Sequence, residues 1–367
     1  TQSVMKYFET LQRVPSLSEQ KNSFETYVNH AYAIYHKLLA PVIESIDDEN
    51  LVIIRDGPLL LIPFESLPVS KSNSSYGDYQ QLDYLIRRHN ISYAHSADLL
   101  VKSVSRIKPN AAENKVLAFS YSQLSPSSGV STNRSINELP GAAREIQAIS
   151  EILPGSFFLG EEATEQKFKS HAADFDILHL AVHGKSDPEK QFSGSLFFKQ
   201  SQDKQDDGEL HVYELYDLSL KARLTVLSAC ESGVGKFFRG EGVFSIARGF
   251  AYAGCPATVM TLWPISDISS ATIMADFYTE LNDGENIDVA LRKAKLNYLE
   301  NTDPQLAHPT YWAAFIPTGN MEPVIVPRFS SSIRWILTAV AFILFAWFVF
   351  KYRYYNRDQT HHPKQHV

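Results

Sequence analysis

Between Lys115 and Gly319, short apolar runs alternate with helical patterns, and this alternation constrains the fold more than any other feature. KVLAFSY reads as a strand and GAAREIQAISEIL as a helix. GSFFLG, FDILHLAVHG, LTVLSAC, ATVMTLW and WAAFIPTG read as further strands. Among them lie the helical patterns ATEQKFKSHAA, SATIMADFYTEL and NIDVALRKAKLNYLE, and the nearly all-apolar GVFSIARGFAYAG, closed by Gly254 and Pro256. Strands separated by helices return by crossover, so they pair in parallel and carry helices on both faces. Runs such as LTVLSA lack polar alternation, as strands covered on both sides do. The expectation is an α/β chain with a mostly parallel sheet.

The stretch before Lys115 is less regular. Residues 23–40 are amphipathic at helical spacing, and Met5–Leu11 suggests a second short helix. Leu51–Arg55 and Leu59–Phe64, separated by Asp56-Gly57, predict a β-hairpin. Tyr84–Tyr93 holds a short extended stretch, and Ser96–Ser105 reads as a helix. Residues 121–137 are rich in Ser, Asn and Pro and form a long loop. LFF and ELHV flank an Asp-Asp-Gly turn, a second hairpin signal. Its acidic cluster (Asp203, Asp206, Asp207, Glu209) lacks EF-hand spacing and reads as a solvated turn.

Composition excludes several function classes. A formal charge of −7 with no basic stripe argues against a nucleic-acid partner. Two cysteines, Cys230 and Cys255, make neither a disulfide framework nor a zinc site. No metal or organic cofactor is called for. Trp335–Phe350 carries no charge and is bracketed by Arg334 and Lys351. Extended to residues 333–352 it reaches the ~20 residues that cross a bilayer, so one transmembrane helix in the cell membrane is expected. A linker (320–332) precedes it and a basic, His-containing tail (353–367) follows. Arg328 and Arg334 against Lys351, Arg353 and Arg357 leave the side of the soluble part open.

Two residues carry candidate chemistry. FDILHLAVHG ends in His183-Gly184 and LTVLSAC ends in Cys230. In a parallel sheet, the carboxyl ends of neighbouring strands share one crevice. A free thiol of pKa ~8.5 is mostly protonated at neutral pH, and an imidazole within reach can take its proton. The amides of Gly184 and Cys230 are candidate oxyanion donors. Cys255, between an apolar helix and Pro256, reads as a small buried hydrophobe.

The run LHLAVHG…LTVLSACESGVG…EGVFSIARGFAYAGCPATVMTLWPISD…HPTYWAAFIPTG resembles the CHAT domain, a caspase-like peptidase family related to separase. NLVIIRDGPLLLIPFESL, DYLIRRHNISYAHSADLL and ELPGAAREI resemble its N-terminal portion. The resemblance implies a caspase-like three-layer α/β/α sandwich, with a helical segment (1–50), a reduced pseudo-caspase-like half (51–112) and a catalytic half (113–319). It implies a cysteine endopeptidase of bacterial source acting on a protein substrate, with His183 and Cys230 as the dyad and Gly184 at the oxyanion. Tetratricopeptide repeats often accompany such domains; this chain lacks them, so they lie upstream of Thr1 or this member differs. Activation by a partner or sensor is part of the same expectation. Asp267, Glu241 and Arg239 are candidates for the substrate pocket; Asp267 is alternatively a cap for a helix starting at Ile268–Ser270. The rival reading is a catalytically idle scaffold at the membrane.

Overall fold

The computed structural model describes residues 2–12, 14–16, 18–43, 45–46, 48–71, 77–105, 115–122, 140–186, 194–201, 206–228, 242–325, 344–349 and 351. In chain order, α1 (Gln2–Leu11), α2 (Gln20–Leu38) and α3 (Ala40–Ile43) lead into β1 (Asn50–Ile54) and β2 (Asn90–Ala94). Then come α4 (Ala97–Ser105), β3 (Val116–Ser120), α5 (Pro140–Ile152), β4 (Gly155–Leu159), α6 (Glu165–His171) and β5 (Ile177–Ala181). β6 (His183–Ser186), β7 (Gly194–Phe197), β8 (Glu209–His211), α7 (Val212–Leu215) and β9 (Leu224–Leu227) follow. The series ends with α8 (Gly242–Ala253), β10 (Ala257–Thr261), α9 (Asp267–Asn282), α10 (Ile287–Asn301) and β11 (Phe315–Gly319).

Eight strands form one sheet in the order β1-β2-β11-β10-β9-β5-β3-β4. Six of its seven pairings are parallel; only β10–β11 is antiparallel. The mostly parallel α/β sheet expected from the sequence is therefore present. Every residue of β2, β3, β5, β9 and β10 is buried, which accounts for the lack of a regular polar alternation in β3, β5 and β9. The edge strand β4 stays partly exposed. α5 packs on α9, α9 on α10, and α8 on β10. Gly254 closes α8 at φ +116°, where a Cβ would stand 2.7 Å from the Leu220 carbonyl oxygen.

Three expectations are corrected. Leu59–Phe64 is not the second strand of a hairpin; Gly57–Leu61 and Phe64–Ser66 are 3₁₀ turns. Asp56 accepts from the Gly57 amide and Pro58 enters the first turn, while Pro63 denies that run a ladder donor. β1 pairs in parallel with β2 instead, Ile53 opposite Tyr93. Second, FDILHLAVHG is two strands: the chain leaves the large sheet after Ala181, and His183 opens β6 of a separate antiparallel sheet, β6-β7-β8.

Third, the single-pass membrane anchor and the cell-membrane location drawn from it are withdrawn. Among the described residues no helix is long and apolar enough to cross a membrane. Within 333–352 only 344–349 and 351 are described, as helix. The chain divides into two compact units, residues 1–325 and 326–367. All strands among the described residues lie in the first.

Candidate functional site

β5 and β9 are parallel neighbours, paired from Ile177–Leu224 to Leu180–Leu227. The Ser228 amide donates to the Leu180 carbonyl (3.1 Å), which carries the register one residue past β9. His183 stands three residues beyond Leu180, and Cys230 three residues beyond Leu227. Cys230 itself, with Arg239 and Glu241, lies outside the described residues.

His183 is half-buried where the chain passes from the large sheet into the small one. It stands opposite Phe197 in the β6–β7 ladder. The Tyr121 ring, just past β3, meets its imidazole edge-on at 4.9 Å and 73°. Lys199 covers the same tyrosine ring at 4.1 Å and lies 3.7 Å from Glu161. The histidine is thus seated at the carboxyl ends of β3 and β5, the position a parallel sheet gives a ligand crevice. Gly184 follows in β6, opposite Leu196. Asp267 is the first residue of α9, with Ser266 at the cap position and no side-chain cap bond there. The helix therefore begins one residue before the expected start, at the carboxyl end of the β10 segment. His183 and Gly184 are adjacent, and Asp267 opens the helix that follows β10, a strand two places from β5 in the sheet.

Beneath the strand ends lies a polar cluster that the sequence reading missed. His179, fully buried in mid-strand, has Nε2 3.0 Å from Oε1 of Glu145, without hydrogen-bond alignment. Its Nδ1 lies 2.9 Å from the Tyr278 hydroxyl. Burial, then the charge of Glu145, holds that hydroxyl far above its ordinary pKa. Ser270 donates to the other Glu145 oxygen (2.7 Å), and Ser270 and Ser228 hydroxyls are 3.4 Å apart. The available signal was His179 itself: a titratable ring inside LHLA needs a buried partner, and Glu145 in GAAREIQ is one.

Cys255 is buried as expected. Its thiol sits 3.2 Å from Thr225 Oγ1 and donates to the Ala257 carbonyl (3.3 Å). Burial pushes it up to about 11, so it is a poor nucleophile. Among the described residues no group of three or more His, Cys, Asp or Glu could hold a metal ion.

Human tetratricopeptide repeat protein 28 is 24% identical over 331 residues, 78% of this chain. The chain spans only 13% of that protein's length. Among solved structures, the Saccharomyces cerevisiae separase–securin complex gives a TM-score of 0.46 at 13% identity, covering 86% of this chain and 20% of that one. The Arg-specific cysteine proteinase gingipain R gives 0.43 at 9% identity, covering 88% and 74%. A family model described as the CHAT domain matches residues 29–320. With four-fifths of its length under that model, the chain belongs to the CHAT domain family.

Proposed function

We propose that the chain is a cysteine endopeptidase of the caspase–separase type, working through His183 and Cys230. The observation that carries this reading is the parallel β5–β9 register, which ends in step three residues short of both. Family membership supports it. In this reading His183 takes the thiol proton as Cys230 Sγ bonds to the scissile carbonyl carbon. The amides of Gly184 and Cys230 hold the oxyanion, a contribution of about 3 kcal/mol per donor. His183 returns the proton to the leaving amine as the C–N bond breaks. It then activates the water that cleaves the thioester, releasing the carboxylate and restoring the thiol. No metal or organic cofactor enters.

Residues 113–319 form the catalytic half and 51–112 a reduced partner half. Asp267 would favour a basic side chain beside the scissile bond, with Glu241 and Arg239 as further pocket residues. The name of the human relative suggests a tetratricopeptide-type module as the regulatory partner. The test is covalent labelling with a peptidyl acyloxymethyl ketone, with and without such a module, read by mass spectrometry. Labelling is expected at Cys230, lost in Cys230→Ala and about 10²–10⁴-fold slower in His183→Ala. Labelling that His183→Ala leaves at the wild-type rate, or its absence under both conditions, overturns the dyad.

A further inference from the structure

We infer that Ser228, Ser270, Glu145 and His179 form a buried relay that positions the end of β9, and with it Cys230. It rests on the reading above in taking Cys230 as nucleophile and His183 as its base. The four groups, with Tyr278, converge from α5, β5, α9 and the β9 terminus, each at most 5% exposed. Sheet–helix packing needs none of them. A buried carboxylate costs several kcal/mol, and apolar residues of similar volume would pack the same space at least as stably. A polar chain kept there is therefore expected to fix geometry.

The donors are ordered by counting protons. A serine hydroxyl has one. Ser270 donates its proton to Glu145 Oε2 at 2.7 Å. Its 3.4 Å contact with Ser228 must then run the other way, Ser228 donating to Ser270. Glu145 thus sets the polarity of the whole line. Its second oxygen faces His179 Nε2 at 3.0 Å, and Tyr278 holds the far side of that ring. Ser228 is anchored twice, by its hydroxyl to α9 and by its amide to Leu180. It stands two residues before Cys230. The relay acts through the strand end and is a positioning device, not part of the reacting set.

The test is iodoacetamide alkylation of the folded chain as a function of pH, which reports the thiolate at Cys230. Buried Cys255 is an internal reporter of loosening. Ser270→Ala and Ser228→Ala are expected to slow Cys230 alkylation at neutral pH about fivefold, the effect of one hydrogen bond, and to move its midpoint upward. Cys255 should stay unlabelled, and Ser270→Thr, which restores the hydroxyl, should recover the profile. Glu145→Gln should act like the serine variants, because an amide can donate to Ser270 and unfix the polarity. A wild-type profile in both alanine variants overturns the relay, as does Cys255 labelling that rises in step with the change. His183→Ala separates the two readings: a wild-type profile there defeats the dyad, whereas a shift there with none in the serine variants defeats only the relay.

Discussion

At the residue scale, the most consequential single group outside the site is Lys295. It is 2% exposed, donates to Glu65 at 2.7 Å and also reaches the Phe315 carbonyl at the start of β11. Burial pulls its pKa down, and Glu65 opposes the shift. Glu65 also accepts from Tyr93, over whose ring Arg55 lies at 3.7 Å. Removing one partner of such a pair leaves the other charge buried and uncompensated. Lys295→Met is therefore expected to cost roughly 3–5 kcal/mol in urea unfolding. Adding Glu65→Leu should return most of that loss, and equal losses in single and double variants would count against the pairing. Residues of this kind were only partly legible. Cys255 could be placed because an apolar run surrounds a small thiol. Lys295 lies in NIDVALRKAKLNYLE beside other cations, and nothing in the spelling separates the buried lysine from exposed Lys293. Likewise His183 was found from the Gly that follows it, while His179, four residues earlier, was read as part of an apolar strand.

At the element scale, strand identity was legible and strand ends were not. FDILHLAVHG shows no turn signal before His183-Gly184, and its division follows from β6 pairing with β7, a contact between segments that periodicity cannot register. The same limit applies to LLLIPF, where Pro63 within the run and Pro58 just before it outweighed an apolar pattern. The β7–β8 hairpin was foreseen; its attachment to α6 was not. Glu165 of α6 accepts from the Gly208 amide (3.2 Å), and Asp206 accepts from the Gln166 amide (3.1 Å). Burial and then a hydrogen bond to Asp206 push Glu165 up to about 7; Lys169 opposes this and Glu214 adds to it. Asp206 is held below its ordinary range by its bonds to Glu165 and to the Gln166 and Gly208 amides, although burial opposes them. The carboxyl that stays protonated in the fold stabilises it most at pH below ~4.5, and that contribution falls as pH rises through about 7. Amide exchange in β7 and β8 should accordingly accelerate relative to β5 as pH is raised from 5 to 8, after correction for intrinsic exchange. Glu165→Gln, which keeps a donor toward Asp206 at every pH, should flatten that dependence. A hairpin whose protection is pH-independent in the native chain would remove the role assigned to this carboxyl pair.

At the scale of the whole molecule, the alternation after Lys115 revealed the sheet but not its order. β11, last in sequence, sits between β2 and β10 and runs against β10. No local pattern encodes that insertion, since a strand's neighbours are chosen by loop reach and face burial. The apolar run at 335–350 shows the converse weakness: hydropathy suggested a span, and among the described residues no helix is long and apolar enough to be one. Insertion of β11 makes the first hundred residues structurally inseparable from the rest. β2 supplies the outer ladder partner of β11, Tyr93 opposite Thr318, and Glu65 supplies the counter-charge of Lys295. The N-terminal helix adds Phe8 edge-on to Trp263 at 6.2 Å, beside the loop that leads into α9. A fragment comprising residues 113–325 would therefore expose an edge of β11, strand a buried ammonium and uncover Trp263. Exposed edges recruit other chains, and an unpaired buried charge costs several kcal/mol. Residues 1–325 should elute as a defined species with cooperative loss of circular dichroism on heating. The 113–325 fragment should aggregate or show no cooperative transition, and adding residues 1–112 as a separate chain should restore both properties. A monomeric, cooperatively unfolding 113–325 fragment would mean that the sheet does not bind the two parts as its strand order requires.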